Sequence, residues 1–177
     1  MIAPPQEILN KAAQIRLLIC DVDGVLTDGR IYFTPDGDEF KGFHARDGHG
    51  LKLLQRTGVE IAVISGRRSP AVALRMESLG IQHVFQGYEK KLEPFQQLLE
   101  SLCLKPVQAS FVGDDLLDLC LMRRAGLAVA VADAHFTLRQ DADWITSQPG
   151  GYGAVREVCD LIMTAQNTLQ DTIESYY

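Results

Sequence analysis

Several features that mark specialised classes of protein are absent from this chain of 177 residues. The four cysteines include no C-x-x-C pair, and all of them lie in apolar segments, so we expect buried, reduced thiols rather than disulfides or a zinc site. The four histidines are scattered and form no H-x-x-x-H pattern. No uninterrupted apolar run is long enough to span a membrane, and residues 1–5 lack the pattern of a signal peptide. These absences predict a cytoplasmic protein with no membrane partner.

Positively charged residues are fewer than negatively charged ones: 17 Lys and Arg residues against 23 Asp and Glu residues give a net charge of -6. Because an acidic surface does not attract nucleic acid, we expect no nucleic-acid partner. The hydrophobic content of 46% is ordinary for a soluble protein, and no repeat, low-complexity tract or linker interrupts the chain. We therefore expect residues 1–177 to form a single domain with a sizeable core.

Apolar segments of strand length alternate with helical patterns along most of the chain. This alternation predicts an α/β fold, in which a Rossmann-like, mainly parallel sheet carries helices on both faces. Strands are expected near residues 17–21, 59–64, 81–86, 109–113, 127–132 and 144–145. Helices are expected near residues 5–15, 47–58, 70–79, 89–102, 116–125 and 154–169, with Asp47 and Ser69 as N-caps and a tail to residue 177.

One segment departs from this alternation, directly after the first strand. Residues 30–34 and 39–43 flank Pro35-Asp36-Gly37, which is typical of a turn, so we expect a projecting β-hairpin over about residues 30–43. The hairpin carries more aromatic side chains than an exposed flap needs, which makes it a candidate subunit interface. These side chains are Tyr32, Phe33, Phe40 and Phe43.

The stretch that organises the chain is the first strand and the loop after it. The apolar run Leu17–Cys20 leads into Asp21 and Asp23, where the strand opens into a loop containing Gly24. Two unpaired carboxylates so close together repel each other unless a cation or a proton lies between them. Two interpretations stay open here: a solvated acidic loop, or a metal-bound nucleophile beside an acid/base.

Polar residues also follow other predicted strands, whose carboxyl ends meet at the edge where α/β sheets bind ligands. Ser65 ends the second strand, Asp114 follows the fourth, and Lys91 begins a helix. Carboxylates suit Mg²⁺, while Ser65 and helix amides suit a phosphate. A lysine neutralises a phosphoryl group or an anionic nucleophile, and an aspartate nucleophile would form an acyl phosphate. Sequence reasoning alone does not separate Lys91 from Lys90.

Four segments of the chain resemble, in order, the four motifs of the haloacid dehalogenase superfamily. They are Asp21-Val22-Asp23-Gly24-Val25-Leu26-Thr27-Asp28-Gly29, Ser65-Gly66-Arg67, Lys91 and Gly113-Asp114-Asp115-Leu116-Leu117-Asp118. The resemblance implies that Asp21 is the nucleophile and that Asp23 is the general acid and then the base. It implies a phosphatase, because the dehalogenases of this superfamily lack the second aspartate and its transport ATPases carry threonine there.

The same resemblance implies the remaining members of the site. Ser65 and Lys91 would be further catalytic residues, and Mg²⁺ would be held by Asp21, Asp114 and the backbone carbonyl of Asp23. Asp118 would lie just behind these ligands. The role of Asp115 stays open: it could lie behind the ligands like Asp118, bind the metal itself, or be an acid favoured at a helix N-terminus.

The spacing of the motifs leaves no room for the cap domain of larger relatives. Between the first and second motifs there is room only for a hairpin and a helix. Between the second and third motifs there is room only for a helix and a strand. Since a hydrolytic site needs control of water, either a macromolecular substrate or a neighbouring subunit must cover it.

A finer resemblance favours the neighbouring subunit. It extends over about residues 17–169 and relates this chain to the capless family of 3-deoxy-D-manno-octulosonate 8-phosphate phosphatases. It rests on the first motif, the hairpin, Phe43-His44-Ala45-Arg46-Asp47-Gly48-His49-Gly50, Val131-Ala132-Asp133-Ala134 and Gly150-Gly151-Tyr152-Gly153-Ala154-Val155-Arg156-Glu157-Val158.

This family resemblance implies a homotetramer with hairpins at its centre and active sites completed by neighbouring subunits. It implies a sugar acid phosphate as the small-molecule substrate, in lipopolysaccharide precursor synthesis. The implied substrate contacts are Asp23, Ser65, Gly66, Arg67, Lys91, Arg46 and Asp47. Arg46 and Asp47 could instead form a local ion pair, and Tyr152 stands where many relatives have arginine.

Two other functions stay open. A phosphatase for a related nine-carbon sugar acid phosphate would share every catalytic residue. A non-catalytic oligomerisation module would resemble the phosphatase-like domains fused to sugar-nucleotide synthetases, although the intact Asp21, Asp23, Lys91 and Asp114 argue against it.

Overall fold

The computed structural model describes residues 4–177, so the first three residues of the N-terminal stretch considered above lie outside it. The strands are β1 Leu17–Cys20, β2 Tyr32–Phe33, β3 Glu39–Phe40, β4 Glu60–Ser65, β5 His83–Gln86, β6 Ala109–Gly113, β7 Leu127–Ala130 and β8 Trp144–Ile145. The α-helices are α1 Gln6–Ala12, α2 Ala45–Arg56, α3 Pro70–Leu79, α4 Leu92–Ser101, α5 Leu119–Met122, α6 Phe136–Asp141, α7 Ala154–Ala165 and α8 Leu169–Glu174. Short 3-10 helices span Pro106–Gln108 and Leu116–Asp118.

Six strands form one parallel sheet in the order β5-β4-β1-β6-β7-β8. The first strand therefore lies in the middle, and the chain builds outward on one side before it crosses to the other. Helix α7 packs against both α1 and α2, and α5 packs against both α4 and α6. This arrangement confirms the predicted α/β sheet, and it puts the change in strand order, where ligands bind in such sheets, between β1 and β6.

The core is built around the central strand. Every residue of β1 is fully buried, as expected for a parallel strand that is covered on both faces. Its partner strands β4 and β6 bury all their residues except Glu60. The polar residues that follow these strands are thus held on a rigid base.

The hairpin is present, but it is narrower than the expected 30–43. Strands β2 and β3 pair Tyr32 with Phe40 and Phe33 with Glu39 in antiparallel register. The rings of Tyr32 and Phe40 stack with centroids 5.1 Å apart, and the Phe33 side chain points to solvent with 63% exposure. Between the first and second motifs the chain adds only this hairpin, α2 and β4, so no cap covers the sheet edge.

Several expected elements differ from the observed ones. Helix 116–125 is replaced by a 3-10 turn and the short α5, and helix α6 was not predicted at all. The last helix breaks after Ala165 and resumes as α8, with Asn167 at a φ of +57° between the two. All four cysteines were expected to be buried, but only Cys20 and Cys159 are: Cys120 is partly buried, and Cys103 is exposed and also lies at positive φ.

No α-helix among residues 4–177 is long and apolar enough to cross a bilayer.

Candidate active site

Three strand ends bring the candidate residues together. Because β1 lies between β4 and β6, Asp21, Ser65 and Asp114 follow or end three neighbouring strands at one edge of the sheet. The backbone N–H of Asp21 donates to the Val112 carbonyl, so β1 stays in register with β6 up to the first candidate residue. The sheet therefore holds these side chains side by side.

Lys91 reaches this edge from the start of α4. Its ammonium lies 2.9 Å from Asp21 Oδ1 and 2.6 Å from Asp118 Oδ1, and the residue is only 1% exposed. Burial alone would lower the pKa of Lys91, but the two carboxylates outweigh burial and raise it. Lys91 is therefore a permanent positive charge at neutral pH. The neighbouring Lys90 is exposed and makes no ion pair with a described residue.

Asp118 uses both of its carboxylate oxygens within the protein. Oδ1 binds Lys91, and Oδ2 accepts the backbone N–H groups of Asp114 at 3.0 Å and Asp115 at 3.4 Å. Gly113 makes this close turn possible, since a Cβ there would lie 2.6 Å from Asp118 Oδ2. Asp118 thus fixes the loop after β6.

Asp114 faces the other carboxylates without a protein donor. Oxygen atoms of Asp21, Asp114 and Asp118 lie within 4.8 Å of one another, and no hydrogen bond from residues 4–177 reaches the Asp114 side chain. Burial, followed by the charges of Asp21 and Asp118, raises the pKa of Asp114 to about 8. Burial also raises the pKa of Asp21 to about 6, against the opposing effect of Lys91.

This carboxylate cluster fits a hard divalent cation, which would supply the positive charge that its oxygens lack. The loop after β1 leaves room for it: at Gly24, with φ +89°, a Cβ would lie 2.1 Å from Asp114 Oδ2. Asp115 lies apart, because its exposed carboxylate accepts the N–H of Leu116 at 2.7 Å and begins the 3-10 helix. This contact favours the interpretation of Asp115 as an acid at a helix start.

Asp23 is bound by cations of two other loops. Lys41, from the end of the hairpin, contacts Asp23 Oδ1 and lies 3.1 Å from Glu39. Arg67 lies with Nε 3.7 Å from Asp23 Oδ2 and also donates to Glu39. Sequence reasoning missed Glu39 and Lys41. Their spacing was the available signal, because residues two apart on a strand share a face and here carry opposite charges.

Ser65 and Gly66 form the entrance to the second loop. Ser65 is 3% exposed, and its hydroxyl accepts the N–H of Arg67 at 3.3 Å. Its carbonyl accepts the N–H of Tyr88 at 3.0 Å, which ties this loop to the one before α4. Gly66 is partly exposed, and a Cβ there would meet nothing nearer than 4.0 Å. Ser65 and Gly66 thus lie next to Asp21 with their backbone held.

Asp47 has a different place from the one expected. The N-cap of α2 is His44, so the prediction of Asp47 as N-cap is wrong. Asp47 is 1% exposed, and its Oδ1 accepts the Arg156 N–H at 2.7 Å, in the first turn of α7. It therefore joins two helices and has no surface for a substrate contact in this conformation. Arg46 is exposed and forms no ion pair with Asp47.

A glycine-rich loop before α7 presses against the loop after β1. A Cβ at Gly150 would lie 1.6 Å from the Gly24 carbonyl oxygen, and the Gly151 N–H donates to Val25 at 2.9 Å. Asp133, which belongs to a segment that carries the family resemblance but was given no role there, accepts the Gly150 N–H at 2.9 Å. Tyr152 projects from this loop with 53% exposure.

The fold and the carboxylate cluster define a haloacid dehalogenase-like hydrolase, and the family model of that description matches residues 83–156. The 3-deoxy-D-manno-octulosonate 8-phosphate phosphatase KdsC of Yersinia pestis is 48% identical over 164 residues, 93% of this chain and 88% of that protein. This chain belongs to the 3-deoxy-D-manno-octulosonate 8-phosphate phosphatase family.

Solved structures agree with this assignment. The Yersinia pestis phosphatase superimposes with a TM-score of 0.92 at 48% identity, covering 93% of this chain and 89% of that one. The Moraxella catarrhalis phosphatase, in complex with a magnesium ion, a phosphate ion and a KDO molecule, superimposes with a TM-score of 0.96 at 40% identity. The match covers 98% of this chain and 100% of that one. The cobalt-bound Haemophilus influenzae phosphatase superimposes with a TM-score of 0.89 at 38% identity, covering 94% of this chain and 98% of that one.

Proposed function

We propose that this protein hydrolyses 3-deoxy-D-manno-octulosonate 8-phosphate to the free sugar acid and phosphate. The observation that carries the proposal is the buried contact of Lys91 with Asp21 beside Asp114, in a chain that resembles phosphatases of this substrate over 93% of its length. A phosphoryl group is an anion, and this edge of the sheet offers a nucleophile, a buried cation and a fitting metal site.

In the proposed reaction Asp21 is the nucleophile. Its carboxylate attacks phosphorus, the bond from phosphorus to the sugar oxygen breaks, and Asp23 gives its proton to the leaving alkoxide. Asp23 then takes a proton from water, whose oxygen attacks the phosphorus of the acyl phosphate. The bond to Asp21 breaks, which releases inorganic phosphate and restores both carboxyl groups. The 2.9 Å contact with Lys91 keeps the Asp21 carboxylate in one orientation.

Asp21, Asp114 and the backbone carbonyl of Asp23 would hold Mg²⁺, with Asp118 behind them. When bound, Mg²⁺ neutralises charge on the nucleophile and the phosphoryl oxygens. Asp118 is unsuited to be a ligand itself, because its oxygens already bind Lys91 and two backbone N–H groups. Ser65 and the N–H of Gly66 are proposed to bind the phosphoryl oxygens, together with Lys91.

For the sugar acid, Arg67 and Arg46 are the proposed contacts. Both are exposed cations, and Arg67 already lies beside Asp23. We further propose a homotetramer in which neighbouring subunits complete each site, supported by the uncapped sheet edge and the exposed hairpin aromatics. We place the enzyme in the cytoplasm, where its four free cysteines stay reduced, and its product in lipopolysaccharide precursor synthesis.

The test is a phosphate-release assay over sugar phosphates, with and without Mg²⁺. We expect turnover of the eight-carbon substrate to exceed that of the nine-carbon analogue, and to vanish with a chelator. Asp21→Asn should reduce turnover at least about 10³-fold while circular dichroism shows a native-like fold. Asp36→Asn, an exposed carboxylate at the hairpin turn, is the matched control. Near-normal turnover by Asp21→Asn would refute the assignment of Asp21 as the nucleophile. A preference for the nine-carbon phosphate would refute the eight-carbon compound as the substrate.

A further inference from the structure

Four charged side chains form a closed ring beside the carboxylate cluster. Lys41 contacts Asp23 Oδ1 and lies 3.1 Å from Glu39 Oε1. Glu39 Oε2 accepts from the Arg67 guanidinium, whose Nε lies 3.7 Å from Asp23 Oδ2. Asp23, Lys41, Glu39 and Arg67 are called the ion-pair ring below. Acidic and basic side chains alternate around this ring.

The ion-pair ring joins three separate parts of the fold. Asp23 comes from the loop after β1 and Arg67 from the loop after β4, whereas Glu39 and Lys41 come from the hairpin. Glu39 and Lys41 share one face of the extended chain, while Phe40 between them is 51% exposed. The hairpin thus turns one face to the site and leaves the other for contacts elsewhere.

Burial divides the ring into a fixed part and an open part. The Lys41 side chain is 1% exposed, so its charge depends on Asp23 and Glu39 as partners. The Arg67 side chain is 46% exposed and can turn towards an anionic ligand while Lys41 stays in place. The ring therefore holds Asp23 firmly and Arg67 loosely.

On the basis of the proposed function, we propose that Glu39 and Lys41 are positioning residues for that reaction. Lys41 keeps the Asp23 carboxylate in one orientation for proton transfer. Glu39 holds Arg67 at the rim of the site and gives it up to the substrate carboxylate or phosphate. The hairpin then has a part in each catalytic cycle, in addition to any part in assembly.

The test compares steady-state kinetics of variants with Mg²⁺ and the eight-carbon sugar acid phosphate. Lys41→Met should lower kcat about 10²-fold with little change in KM, because a misplaced acid/base slows chemistry rather than binding. Lys41→Arg, which keeps the charge, should recover much of that loss. Glu39→Gln should mainly change KM, since it alters how Arg67 is held. Asp38→Asn, which removes a hairpin carboxylate outside the ring, should match the wild type.

A double variant separates positioning from a general loss of structure. In an Asp23→Asn background, Lys41→Met should cause no further fall in kcat, because its effect passes through Asp23. If the kcat losses of Lys41→Met and Asp23→Asn instead multiply in the double variant, or if Lys41→Met keeps the wild-type kcat, the inference is overturned. If Lys41→Met does not fold, the KM change in Glu39→Gln decides. An inactive wild type would instead refute the proposed function.

Discussion

Lys91 is a single buried charge that is expected to matter both for stability and for the proposed chemistry. It is enclosed between Asp21 and Asp118, which themselves lie away from water. Burying a charge is unfavourable unless opposite charges compensate for it, and here each member needs the others. Asp118 in turn fixes the backbone of Asp114, so one interaction reaches the candidate metal site.

Lys91→Met should destabilise the protein by about 3–5 kcal/mol near neutral pH, because Asp21 and Asp118 lose their cation. Without Lys91, little opposes the burial that raises the pKa of Asp21, so the folded variant binds protons more tightly than the unfolded chain. The difference in unfolding free energy between Lys91→Met and the wild type should therefore shrink as the pH falls towards about 4. Urea unfolding at several pH values measures this.

Lys90→Met is the matched control for that substitution. Lys90 is exposed and next in sequence, so its removal should change the free energy of unfolding by no more than about 0.5 kcal/mol. Equal effects of the two substitutions would contradict the assignment of the buried cation to Lys91.

At the scale of elements, the hairpin is the part of the fold with the least internal support. Its strands have two residues each, and such a ribbon is marginal in water on its own. Lys41 and Glu39 tie the hairpin to the site, whereas Phe33 on the Glu39 face and Phe40 on the opposite face are 63% and 51% exposed and form its outer surface. An outer surface of this kind is typical of one that another subunit covers.

Replacing both Phe33 and Phe40 by Glu should lower the assembly state, because eight such charges, two from each subunit, would meet at the proposed tetramer centre. Light scattering coupled to size exclusion should show a tetramer of 19.6 kDa chains for the wild type and smaller species for the variant. Leu74→Glu, at a 67% exposed apolar residue of α3, is the control and should stay tetrameric. A monomeric wild type with full activity would contradict the proposed assembly.

What the sequence could predict at this scale follows from the range of the interactions involved. Apolar runs and strand-end polar residues are local patterns, so the sheet and the places of Asp21, Ser65 and Asp114 could be predicted. Asp47 looked like a local N-cap, but its carboxylate accepts the backbone N–H of Arg156 in the first turn of α7, more than a hundred residues later. Nothing near Asp47 in sequence could indicate that contact, and the same holds for Lys41 with Asp23.

At the scale of the whole molecule, the acidic cluster links metal binding, pH and stability. Asp114 and Asp21, whose pKa values are raised to about 8 and about 6, hold protons in the folded state that they lose in the unfolded chain. The metal-free protein should therefore lose stability as the pH rises from about 4 to about 8. A divalent cation bound to the deprotonated oxygens should offset this loss.

Adding Mg²⁺ should thus raise the melting temperature more at pH 8 than at pH 5.5. At about a hundred times the dissociation constant, the gain at pH 8 should be about 2.7 kcal/mol. Differential scanning calorimetry with chelator or Mg²⁺ at both pH values measures this. Asp114→Asn should be more stable than the wild type without metal and respond little to Mg²⁺; an unchanged Mg²⁺ response would place the cation elsewhere.

The central position of β1 has a consequence for synthesis on the ribosome. Its four apolar residues are made early, but their partner on one side, β6, begins only at Ala109. At a translation rate of about 5–20 residues per second, the nascent strand waits roughly 4–18 s for that edge to be covered. During this interval one edge of this apolar segment stays unpaired, so we expect it to be open to chaperones until β6 is made.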